Sequence, residues 1–184
     1  MKNEDFIELA EQFSNISEMS VEESMVFLTA SKERFVLNNG EVATVLDVIN
    51  TLNHTANYNA VTVSDLVESL WKMIDVEDAT QQLPLEALVV CVTSIAQVTR
   101  EGGGILGNSV RGIFSRINKS DTAINELNHY GFDTNKKAED IIHDLNERWS
   151  SLTEETRHKI SLAVAGRFQM SRFMILLDQF DTVS

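Results

Sequence analysis

Leu83-Pro84-Leu85-Glu86-Ala87-Leu88-Val89-Val90-Cys91-Val92-Thr93-Ser94-Ile95-Ala96-Gln97-Val98-Thr99, followed by Arg100-Glu101-Gly102-Gly103-Gly104, is the stretch on which the fold turns. Leu85, Leu88, Val89, Val92, Ile95 and Ala96 return every three or four positions, the period of a helix. Val90, Cys91 and Val98 widen the apolar surface beyond a single stripe, and a helix apolar around most of its circumference belongs inside. The segment is therefore predicted as the central, most buried helix. Pro84 suits its first turn, where a missing N–H costs nothing. Gly102–Gly104 are expected to end it, because Gly tolerates the left-handed conformation that closes many helices. The charge-free run from Ala87 to Thr99 is 13 residues, too short to span a bilayer.

The same spacing extends outward in both directions. Phe6, Ile7, Leu9 and Phe13 suggest a short first helix. Ser20-Val21-Glu22-Glu23 has the spacing of a capping box and opens a helix through Val21, Met25 and Leu28 toward Phe35. Asn38-Asn39-Gly40 breaks the chain, and Val42, Val45, Leu46, Ile49 and Leu52 form a third helix. Thr62-Val63-Ser64-Asp65 starts a fourth, carrying Leu66, Leu70, Trp71 and Ile74. Beyond the glycines, Ile105, Val110, Ile113, Phe114 and Ile117 mark a sixth, and Asp121 begins a short seventh. Tyr130 to Asn135 reads as a loop, Asp140 to Trp149 as a helix. Thr153-Glu154-Glu155 opens a helix ending near Gly166, and a last segment runs from Phe168 to about Phe180. Composition agrees. One Pro and eight Gly fall below the roughly nine and thirteen of average usage, and a sandwich or barrel needs turn residues every few positions. The expected fold is all-α: a compact bundle of about eight to ten short-to-medium helices with no sheet. Residues 1–184 form one domain or, if divided, a main bundle at 1–118 and C-terminal helices at 119–184.

Hydrophobic residues make up 43% of the chain, enough for a core, and the net charge is −13. So acidic a chain repels duplex DNA and RNA, whose binding rests on neutralising phosphates. The charge is uneven: residues 87–119 sum to +3 through Arg100, Arg111, Arg116 and Lys119 against Glu101, while residues 41–86 sum to −7. Internal pairing of the two surfaces is the simpler reading, a partner site the other. Cys91 is the single cysteine, so an intramolecular disulfide or a thiolate-rich zinc site is excluded. Met1 to Phe6 lacks the apolar run of a signal peptide, and the expectation is a soluble chain in a reducing compartment with no transmembrane segment.

Three constellations imitate chemistry. Gly102, Gly104 and Gly107 spell GxGxxG, but a dinucleotide site needs a βαβ unit and none is legible. Glu126 and His129, and again Glu155 and His158, have the spacing of half a di-iron ligand set. Such ligands must face a bundle interior. If the stripe of the second helix centres on Ile160, His158 points roughly 160° and Glu155 roughly 140° away from it. Cys91, inside the apolar run, reads as an inert core thiol. No catalytic, cofactor-binding or metal-binding residues are expected, and the chain is not read as an enzyme.

Three stretches resemble a known family, the core region of phage tail tape measure proteins. One is Leu52 to Asn57 with Val61 to Leu66; the second runs from Leu83-Pro84-Leu85-Glu86 through Thr99–Gly107 to Ile113–Ile117. The third is Trp149 to Thr153 with Ala165 to Phe173. Their order and spacing match that region over roughly Ile16 to Phe180, with Gln82 standing where the family usually has Gly. The resemblance implies a non-enzymatic structural protein of a phage or prophage tail, taking part in tail assembly and length determination. It implies contacts with tail tube and tail-tip proteins and tail assembly chaperones, self-association, assembly in the bacterial host cytoplasm, and residence in the virion tail. A fully helical chain would span roughly 280 Å, less than most long tails require, so an excised domain or a short relative is expected. The alternative is a compact helical protein-binding module that keeps the fold without the tail role.

Overall fold

The computed structural model describes residues 3–74 and 82–183. Helix α1 (Asn3–Ser17) packs on α2 (Val21–Arg34), where the Phe13 and Phe27 rings stack at 5.7 Å and Trp71 meets Phe27 edge-on at 5.5 Å. Ser20 closes the expected capping box: its Oγ accepts from the Glu23 N–H, and the Glu23 carboxylate accepts from the Ser20 N–H. Helix α2 stops at Arg34 rather than continuing through Phe35. Phe35–Val36 instead forms a short strand, β1, paired in parallel with β2 (Leu83–Pro84). This corrects the expectation of no sheet. The chain turns at Leu37–Gly40 with Gly40 at φ +84°, so Val36 can also bridge Val42, and the Glu86 carboxylate accepts from the Asn38 N–H at 2.6 Å. Val42 consequently lies outside α3 (Val45–Tyr58), which starts at an unforeseen capping box of Thr44 and Asp47.

Helix α4 (Val63–Ile74) begins where Thr62 and Asp65 were expected to start it, with the Asp65 carboxylate accepting from the Thr62 hydroxyl at 2.6 Å. Pro84 precedes α5 (Leu85–Thr99) instead of entering its first turn, because it is the last residue of β2. Leu85, Leu88, Val89, Cys91, Val92, Ile95 and Ala96 of α5 are all buried, as predicted for a central helix. The end of α5 is a correction. Arg100, not a glycine, takes the left-handed conformation (φ 56°), and Gly102 (φ −71°) is the residue ahead of α6 (Gly103–Lys119).

The glycines serve helix contact. A Cβ on Gly103 would lie 2.8 Å from Glu68 Cβ and 2.9 Å from Asp65 Cα; on Gly107 it would lie 2.6 Å from the Ser69 carbonyl oxygen and 2.7 Å from Ser69 Cα. Without side chains at these two positions, four apart on one face, α6 rests directly on the backbone of α4. The Ser69 hydroxyl donates to the Gly103 carbonyl at 2.9 Å, and the Gly103 N–H donates to Asp65 Oδ1 at 3.1 Å. Asp65 thus receives donors from the starts of two helices.

Helices α7 (Asp121–His129), α8 (Ala138–Trp149) and α9 (Glu154–Gln179) complete the fold, with a 3₁₀ turn at Phe180–Thr182. Gly166 interrupts α9 at φ 72°, ψ 171°, so the segment is two helices meeting at a kink, as the break near Gly166 predicts. Arg116 of α6 fastens the kink: its Nε donates to the Val164 carbonyl at 3.1 Å and its Nη2 to that of Ala163 at 3.0 Å. The segment Glu154–Thr182 is long and apolar enough to cross a membrane by length and composition. Its Ile160, Val164, Phe173, Leu176 and Leu177 are nevertheless buried in the core, and Trp149 closes over Phe173. The buried hydrophobic residues form one cluster from Ala10 to Leu177, crossing the 118/119 position.

Candidate functional site

The constellations singled out in the sequence are placed apart from any common site. Val89–Val92, which precedes GxGxxG, is helical, and the faces of Gly103 and Gly107 are filled by α4. Of the motif's own glycines, Gly107 lies against the α4 backbone and Gly104 faces the Glu68 carboxylate, which repels an anion, while a Cβ on Gly102 would meet nothing within 4 Å. His129, Glu155 and His158 are exposed and Glu126 is half-buried on the outer side of the bundle. The Glu155 carboxylate pairs with Lys159 at 2.6 Å, which holds its carboxyl below the ordinary range. Cys91 is buried, and desolvation, reinforced by the charge of Glu139, pushes its thiol well above the ordinary range. Such a thiol does not ionise near neutrality and is a poor nucleophile. His143, Asp144 and Glu147 bring ligand atoms within 4.8 Å of one another on α8, but His143 and Glu147 are exposed and Asp144 is held by Lys136.

The site that the fold does assemble is a cleft of about 850 Å³ between α6, the start of α8, and the β1–β2 pair. Its floor is apolar: Val36, Met73, Leu88 and Ala138 are buried there, and Phe114 is half-buried. Its walls are basic. Arg34, at the end of α2, is 8% exposed and donates to the Ile74 carbonyl at 3.0 Å. Arg111 and Lys119 stand on the cleft face of α6, and Lys137 precedes α8, with Glu139 as the acid among the described lining residues. Among the described residues Arg111, Lys119 and Lys137 take part in no ion pair. Helix α8 begins without a side-chain cap, so its first N–H groups and positive dipole end lie at the same rim.

The positive segment 87–119 is therefore divided by the fold. Arg116 binds the carbonyls of α9, Glu101 holds Arg172 of α9 through two hydrogen bonds, one of them at 2.6 Å, and Arg111 and Lys119 go to the cleft. The internal pairing with residues 41–86, the simpler reading of the charge pattern, is not made by these cations among the described residues. Arg34 and Lys137 carried no signal in the sequence, being far from 87–119 and from each other. No protein-family model matches the chain, and no solved structure matches it.

Proposed function

We propose that this chain is a structural domain of a phage or prophage tail, corresponding to the core region of a tape measure protein, and that it acts by contact rather than catalysis. One observation carries the reading. The residues on which the resemblance rests, scattered over more than a hundred positions, touch one another. Asp65 of the first stretch accepts from Gly103 of the second. Arg116 of the second binds the carbonyls just ahead of Gly166 in the third, and Glu101 pairs with Arg172. Residues that form one packed unit in this way are what a family core requires. On this reading the domain contacts tail tube and tail-tip proteins and tail assembly chaperones, self-associates, is assembled in the host cytoplasm, and resides in the tail.

The second reading, a helical binding module without a tail role, is favoured by the basic cleft, a feature that packing does not require. Peptide mass spectrometry on tails purified from the phage or induced prophage that encodes the chain separates the two. Peptides from residues 1–184 in purified tails are the expected result. Their absence from complete, infectious tails overturns the tail reading.

A further inference from the structure

We propose that the cleft between α6 and the start of α8 is a docking site for an acidic, partly apolar peptide segment of a partner protein. Three features of the cleft select this occupant. First, its sign is opposite to that of the chain: a molecule of net charge −13 gathers Arg111, Lys119 and Lys137 around one cavity, and among the described residues none of the three has an ion-pair partner. Like charges held together repel one another and are relieved by an anion. Second, the charges are spread out. Arg111 and Lys119 are eight residues apart on one helix, about 12 Å along its axis at 1.5 Å per residue. Two acidic side chains about four residues apart on an extended segment match that spacing, one carboxylate for each cation. Third, the same cleft is lined by apolar side chains, half-buried Phe114 and buried Met73 and Leu88. That surface rewards side chains that interleave with the acids, which a nucleic-acid backbone does not offer. The uncapped start of α8 gives one end of the segment a further anion-binding position beside Lys137. The inference does not depend on the tail reading.

Gly112 makes it testable. It lines the cleft from α6, and a Cβ added there meets nothing within 4 Å. Gly112→Trp places an indole in the cleft from a position whose added Cβ meets nothing within 4 Å, and Arg111→Glu with Lys119→Glu reverses the wall. The probe is a fluorescein-labelled ten-residue peptide alternating glutamate with leucine and phenylalanine, read by fluorescence anisotropy on the full chain. Saturable binding is expected, weakened about tenfold or more by Gly112→Trp and by the charge reversal, and falling as salt rises from about 50 to 300 mM. The same peptide with glutamine in place of glutamate, and an oligoglutamate without apolar residues, should each bind at least about tenfold more weakly. Unaltered circular dichroism and melting of both variants keep the comparison a matter of binding. No saturable binding overturns the proposal, as does equal binding of oligoglutamate or displacement of the probe by equimolar inorganic phosphate. A dimer in sedimentation equilibrium that Gly112→Trp dissolves would replace the partner segment with a second copy, and also overturns it.

Discussion

Two glycines on one helix are expected to respond to the same substitution with opposite signs. Gly107→Ala places a methyl group 2.6 Å from the Ser69 carbonyl oxygen and 2.7 Å from Ser69 Cα, and both are backbone atoms of α4 that cannot rotate away. To restore an ordinary contact the helices must separate by roughly 1 Å, which loosens Leu66 and Leu70 against Leu106 and Val110 in the core. Overpacking of this kind costs about 1–3 kcal/mol, occasionally more. Alanine also returns up to about 1 kcal/mol of helix propensity. The net expectation is a loss of about 1–2 kcal/mol, a fall in Tm of roughly 2–8 °C for a domain of this size. Gly112→Ala has the propensity gain without the clash, since a Cβ there meets nothing within 4 Å. It should raise stability by about 0.5–1 kcal/mol. Urea unfolding followed by circular dichroism measures both, with an unchanged m-value showing that the comparison is of like with like. If Gly107→Ala is as stable as Gly112→Ala, α6 does not rest on the α4 backbone and the packing argument is wrong.

Other expectations follow from single contacts. Gly166→Ala forces a side chain into a φ/ψ region open essentially to glycine and should cost about 1–3 kcal/mol in denaturant unfolding. Arg116→Met removes two hydrogen bonds to the carbonyls ahead of that kink and should cost about 1–3 kcal/mol, with hydrogen exchange rising first around Ala163–Arg167. Hydrogen bonds from Arg172 hold the Glu101 carboxyl below its ordinary value of 4.5, against the opposing effect of burial. A carboxyl depressed in the folded state stabilises it above the ordinary value and less as pH falls through the folded one. The stability difference between the native chain and Arg172→Met should therefore be largest near neutrality and shrink below pH 4.5. Cys91 should resist a thiol reagent in the native state and react at once on unfolding; fast native labelling would contradict its burial.

Local signals carried the helices and failed where distant residues meet. Ser20–Glu23 and Thr62–Asp65 start helices by contacts three residues apart, which a sequence displays directly. Thr44–Asp47 does the same but was masked, because Val42 and Leu46 share helical spacing with the residues that follow. The β1–β2 pair joins positions nearly fifty residues apart, and two-residue strands have no periodicity to read. At Gly102–Gly104 the composition was informative but its cause was not. A glycine run signals either positive φ or close approach, and only the position of α4 decides between them. The cleft was half legible: the basic excess of 87–119 was plain, but its meeting with Arg34 and Lys137 depends on tertiary packing.

The proposed tail role is tested most directly by deleting the coding segment for residues 1–184 in frame from the phage or prophage and measuring tails by electron microscopy. A compact domain of 184 residues has a radius of gyration near 16 Å and a width of roughly 40 Å. The account predicts defective or fewer tails, any surviving ones shortened by less than about 40 Å. Tails shortened by nearly 280 Å would mean that the segment lies extended as a ruler. Normal numbers of full-length, infectious tails would contradict a role in the tail altogether.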